Sequence, residues 1–113
     1  MRRAFVILLV LVALCAPSAV ALGRPRLGAA QTDRVKMADR YRNVFRPGTV
    51  RIERGDAVRW VNVGDITHTA TGEGWDSGAV SPGGSYERRF RARGTYRYRC
   101  VLHPEMTGAI IVG

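Results

Sequence analysis

Between residues 35 and 113 the chain reads as short stretches in which apolar and polar positions alternate, cut by turn residues, with no apolar spacing of helical period. Val50 and Ile52 alternate with charged neighbours up to Gly55-Asp56, and Val58 and Trp60 then flank Arg59, a pattern that predicts a hairpin. Asp76-Ser77-Gly78 and Pro82-Gly83-Gly84 break the middle of the chain. Beyond them Tyr86 and Phe90 fall on one face of a strand that ends near Gly94. Arg88 shares that face, which places it at the rim of a sandwich or at a bulge. Tyr96, Tyr98 and Cys100 then share a face opposite Arg97 and Arg99, and Ala109 to Val112 form a continuous apolar closing strand. This order predicts an all-β sandwich of one domain, without repeats.

The first residues follow a different pattern. Arg2 and Arg3 precede an uncharged apolar run from Ala4 to Leu14, then Pro17 and the small-residue sequence Ala19-Val20-Ala21. That arrangement predicts a signal peptide over 1–21 with cleavage after Ala21, and export to a periplasmic or extracellular compartment. Retention of the run as a membrane anchor is the lesser expectation. Bulky Leu14 before Cys15 argues against lipid attachment at that cysteine. Residues 22–34, rich in Gly, Pro, Ala and charge, read as a flexible leader, and the folded domain is expected over 35–113.

Export changes what charge and cysteine count mean. Without Arg2 and Arg3 the chain keeps 16 basic and 9 acidic residues, a net charge of +7. Nucleic acid, an anionic membrane surface and an acidic protein partner all fit such a balance, and export argues against nucleic acid. The plainer reading is that Arg88, Arg89, Arg91, Arg93, Arg97 and Arg99 solvate outward strand faces. A secreted chain normally pairs its cysteines, yet only Cys100 remains after cleavage. Inert packing, an intermolecular bridge, a nucleophile and a metal ligand are the alternatives for it.

Cys100-Val101-Leu102-His103-Pro104-Glu105-Met106 offers a thiolate, an imidazole and a thioether within what reads as one loop between two strands. A blue-copper site needs two imidazoles and a thiolate in a trigonal set, plus a weak axial thioether. His68, in the loop Asn62-Val63-Gly64-Asp65-Ile66-Thr67-His68, is the other histidine of the chain. Taken singly, His68 reads as a loop histidine, Met106 as core filler and Pro104 as a chain breaker. Together, both histidines and the remaining cysteine match the stoichiometry of one copper site, with His68, Cys100, His103 and Met106 as ligands.

These residues carry a resemblance to the cupredoxins, and within them to the plastocyanin and amicyanin group. It extends over nearly all of residues 35–113. It includes Phe45-x-Pro47, the run Val50-x-Ile52-x-x-Gly55-Asp56-x-Val58-x-Trp60-x-Asn62, then His68 and Trp75-Asp76-Ser77-Gly78. Pro82-Gly83 follows, and then Gly94-x-Tyr96-x-Tyr98-x-Cys100-x-x-His103-Pro104-x-Met106-x-Gly108. The Cys-x-x-His-x-x-Met spacing is similar to the short amicyanin-type loop. The resemblance implies a Greek-key cupredoxin sandwich and one type 1 copper ion cycling between copper(II) and copper(I). It also implies a one-electron carrier, expected to be a monomer; an enzyme of this fold would need further histidines for a catalytic copper centre, and none remain, so no enzyme is expected. Redox partners, expected to be acidic, would dock where His103 reaches the surface among Leu102 and Pro104. Copper trafficking or buffering without redox cycling is the alternative, and membrane-surface association stays open. Thr69 departs from the asparagine common in that group, which bonds towards the cysteine-bearing strand; a hydroxyl is expected to replace that bond. Val101 stands where a small polar residue is common.

Overall fold

A computed structural model describes residues 29–113. The expected signal segment and most of the leader lie outside the described residues. Among the described residues nine strands form two sheets: β1 (Thr32–Ala38), β2 (Val44–Arg46), β3 (Thr49–Ile52), β4 (Ala57–Asn62), β5 (Thr71–Gly72), β6 (Trp75–Asp76), β7 (Ser85–Arg89), β8 (Gly94–Cys100) and β9 (His103–Val112). One sheet has the order β2-β1-β4-β7 and the other β3-β9-β8-β5-β6. The β1–β4 and β3–β9 pairs are parallel, and the remaining pairs are antiparallel. The all-β sandwich expected from the alternation is therefore present.

Two expectations are corrected. Residues 49–62 do not make a hairpin, because β3 pairs with β9 in one sheet while β4 pairs with β1 and β7 in the other. The turn residues were read correctly, since Gly55 adopts φ +92° and the Asp56 amide donates to the Glu53 carbonyl at 3.0 Å. That turn carries the chain across the edge of the sandwich instead of folding it back in the same sheet. The second correction concerns the leader, expected to run to residue 34: β1 starts at Thr32, three residues before the expected Val35. The buried Asp56 carboxylate supplies the reason, accepting hydrogen bonds from the backbone amides of Gln31 at 2.9 Å and Glu53 at 3.0 Å. A buried carboxylate needs such donors, so the segment before Val35 is ordered against it.

Inward positions of the strands fill the space between the sheets: Val35 and Met37 from β1, Val58 and Trp60 from β4, Tyr98 and Cys100 from β8, Met106, Ile110 and Val112 from β9. Trp60 is fully buried at the centre, its ring 5.3 Å from Trp75, 5.7 Å from Tyr86 and 5.3 Å edge-on from Tyr98. Removing a ring of that size from water contributes about 4 to 6 kcal/mol before entropic costs. Arg88, expected at the rim of the sandwich or at a bulge, stands in regular register opposite Val58 and lays its guanidinium over Phe90 at 4.5 Å, Trp75 at 5.2 Å and Tyr96 at 5.7 Å. It caps the aromatic cluster as a cation on ring faces, which is how a charged residue shares the inward side of β7.

Among the described residues the Trp60 indole nitrogen and the Tyr98 hydroxyl are buried without hydrogen-bond partners. Burial pushes the Tyr98 hydroxyl up to about 12, an effect that the Trp60 indole partly offsets. An unfolded tyrosine ionises near 10. Stability from the neutral phenol is therefore complete below pH ~10 and is lost as pH rises towards ~12, by roughly 3 kcal/mol. Urea unfolding midpoints should fall steeply over that interval for the wild type and much less for Tyr98→Phe; parallel profiles would exclude Tyr98 as the cause.

Candidate metal centre

The loop that follows β4 is shaped by Asn62. Its side-chain amide donates to the carbonyls of Ile66 and Val80, each at 2.8 Å, and its carbonyl accepts from the Gly64 amide at 2.9 Å. The chain therefore folds back on itself and delivers His68 inward, where its backbone exchanges two hydrogen bonds with Val80 at 3.1 and 2.8 Å. The His68 side chain is fully buried.

Cys100 ends β8 and His103 begins β9. The seven-residue segment expected to be a loop is mostly strand: Cys100 and His103 are cross-strand partners, and only Val101 and Leu102 form the turn between them. Strand pairing brings the two side chains close, with Cys100 Sγ 3.5 Å from His103 Nδ1. From the facing loop, His68 Nδ1 lies 4.0 Å from the same sulfur. The three donor atoms lie within 4.8 Å of one another, and the two imidazole rings are 5.1 Å apart. Met106 follows on β9 with its side chain buried in the core that also contains Cys100.

The sulfur–nitrogen spacings fit a metal ion. Bonds of about 2.3 Å to sulfur and 2.0 Å to nitrogen, opened to roughly 120°, separate the two atoms by about 3.7 Å. The observed sulfur–nitrogen distances of 3.5 and 4.0 Å bracket that value. Two imidazoles and a thiolate in a dry site suit a soft, borderline metal such as copper, and carboxylate-preferring ions poorly.

Neighbouring groups orient these donors. The Thr69 amide donates to Cys100 Sγ at 3.2 Å, and the Thr69 hydroxyl accepts from the Val101 amide at 2.9 Å. The expected replacement of an asparagine bond by a hydroxyl is therefore present: the His68 loop is tied to the cysteine strand at this point. The hydroxyl also meets Thr71 Oγ1 at 2.9 Å, which donates in turn to Asp76 at 3.1 Å.

Sequence reading missed Asp39. It lies just beyond β1, and its carboxylate meets His68 Nε2 at 2.8 Å. The Asp65 amide beside it holds this carboxyl below the usual range, helped by the bonds from His68 and Ile66 and opposed by its burial. No local motif marks the residue, because its partner is far along the chain.

The segments that carry the donors also expose apolar side chains. Val101 and Leu102 are exposed on the turn between Cys100 and His103, and Val63 and Ile66 are exposed on the His68 loop. His103 is half-buried, whereas His68 and Cys100 are enclosed.

Residues 32–113 match the family model described as copper binding proteins of the plastocyanin/azurin family. The chain is 35% identical over 75 residues to amicyanin-alpha of Methylorubrum extorquens, across 60% of its own length and 63% of that protein's. It is 36% identical over 100 residues to the chloroplastic plastocyanin of Tetradesmus obliquus, covering 74% of this chain and 69% of that one. Among solved structures, a purple cupredoxin from Nitrosopumilus maritimus superposes with a TM-score of 0.68 at 20% identity, over 72% of this chain and 99% of its own.

Proposed function

Because the chain belongs to the copper-binding plastocyanin/azurin family, we propose that it is an exported one-electron carrier whose copper is held by His68, Cys100, His103 and Met106. The observation that carries this reading is the convergence of two imidazole nitrogens and one thiol sulfur within 4.8 Å in a buried site. Copper shuttling between its two lower oxidation states supplies the redox chemistry. Cys100 would hold it as a thiolate, His68 and His103 through Nδ1, and the buried Met106 through its thioether sulfur. The enclosing strands keep water out and resist rearrangement, so little reorganisation accompanies a change of charge.

Electrons enter and leave through His103, the half-buried imidazole, and partners dock on the apolar ground formed by Leu102, Pro104 and Val101. The arginine-rich surface steers acidic redox proteins towards it. A transfer rate that does not fall with rising salt would remove the arginines from that role. The carrier works as a monomer after cleavage of residues 1–21, with 22–31 as a leader ahead of the first strand. A catalytic role is not proposed: both histidines of the sequence are used at this one site, leaving none for a second copper centre.

Titrating the exported domain with copper(II) while recording visible and electron paramagnetic resonance spectra tests the reading. One equivalent should produce an intense visible band that bleaches reversibly on reduction. A protein that binds copper without such a band, or does not bind it, would overturn the proposal. A bound ion that cannot be cycled would favour copper buffering instead.

A further inference from the structure

Among the described residues Asp39 is the one acidic side chain brought against the candidate ligands from outside their own segments. Its side chain is only 6% exposed, although it sits at the end of an edge connection. One oxygen accepts from the Asp65 amide at 2.9 Å. The other accepts from the Asp65 amide at 3.0 Å and the Ile66 amide at 3.2 Å, and meets His68 Nε2 at 2.8 Å. A side chain on Gly64 would collide with this carboxylate, so the loop closes on Asp39 only because residue 64 is glycine. The residue is thus clamped from three sides, and its one remaining demand is a donor at the imidazole.

An imidazole with a proton on Nε2 keeps Nδ1 bare, and Nδ1 is the nitrogen that faces Cys100 Sγ. We propose that Asp39 is a positioning residue for the copper site: it fixes the Nε2–H tautomer and ring orientation of His68, and its negative charge favours copper(II) over copper(I). The proposal rests on the copper reading given above. Carboxylates bonded to a ligating imidazole raise its basicity as well as orienting it. Here the carboxylate comes from the connection that follows β1, so β1 and the His68 loop are coupled through the ligand itself.

The experiment compares the wild-type domain with Asp39→Asn and Asp39→Ala. In the copper-free wild type, nitrogen-15 NMR of the imidazoles should show His68 protonated at Nε2. A His68 protonated at Nδ1 would overturn the proposal, and this readout needs neither a variant nor copper. Asp39→Asn retains an acceptor for the imidazole but loses the charge. Its copper(II) affinity should fall about tenfold relative to copper(I), which raises the reduction potential by about 59 mV. Asp39→Ala loses both and should bind copper(II) roughly 10- to 100-fold more weakly, with a mixed His68 tautomer in the copper-free state. Wild-type potential and affinity in both variants would overturn the role of Asp39. If the wild type itself gave no intense visible band, the copper reading would fall, while the tautomer measurement would still decide whether Asp39 orients His68.

Discussion

Cys100→Ser should give a folded domain that no longer develops an intense visible band with copper(II). Serine preserves the volume, and its oxygen can still accept from the Thr69 amide that now donates to Cys100 Sγ. Packing of the fully buried position therefore changes little. What disappears is the soft anionic donor. An alcohol remains protonated beside the metal at neutral pH and is a poor partner for copper(I). Affinity should fall by more than the roughly 100-fold that loss of an outer-shell partner costs. Thermal melting without metal should stay close to wild type, which separates loss of ligand from loss of fold. A retained visible band would exclude Cys100 as the thiolate donor. Met106→Leu is the counterpart: the band should persist while the reduction potential moves, and an unmoved potential would show that Met106 is not axial.

Asn62→Ala should have the largest effect on stability among polar substitutions near the site. Asn62 is buried, and its side chain serves three backbone groups, at Ile66, Val80 and Gly64. Alanine leaves the Ile66 carbonyl and the Gly64 amide without that partner and the Val80 carbonyl with the His68 amide alone, at about 1 kcal/mol for each lost bond. The sum is about 3 kcal/mol, which lowers the melting temperature by roughly 12 to 24 °C in a domain of this size. Because the same bonds deliver His68 inward, copper should bind more weakly as well, and excess copper should recover part of the lost stability by mass action. Asn62→Asp should be equally damaging, since it keeps the acceptor for Gly64 but turns an acceptor towards two carbonyls. A loss below about 1 kcal/mol would show that the loop holds its shape without Asn62.

Much of the molecule was legible in the sequence where chemistry or alternation is local. The Cys100, His103 and Met106 spacing, the inward row of Tyr96, Tyr98 and Cys100, and the turn at Gly55-Asp56 all rest on residues a few positions apart. Features that depend on distant partners were not legible. Alternation identified strands around Val50 and Ile52 and around Val58 and Trp60 but could not say that they join different sheets, because periodicity reports a face and not a neighbour. The start of β1 escaped detection because Asp56 orders Gln31 across 25 positions. Arg88 was misfitting as a strand residue until the rings of Trp75, Phe90 and Tyr96 were seen beneath it. Asp39 meets His68 across 29 positions and belongs to no motif. The hydroxyl of Thr69 was anticipated, since its neighbour His68 had already been singled out.

The parallel pairing of β3 with β9 governs when the centre can come into being. Thr49 must find Ala109, and Ile52 must find Val112, across most of the domain. Contacts so remote in sequence are slow to form, because closure entropy has to be overcome before they yield any stabilisation. The strand that brings His103 and Met106 is the same strand that seals the second sheet. The donors of His68, Cys100 and His103 are therefore not held together by a closed sandwich until the last strand has docked. Until that moment the thiol of Cys100 is accessible to oxidants; afterwards the closed sandwich shields it, with or without its metal.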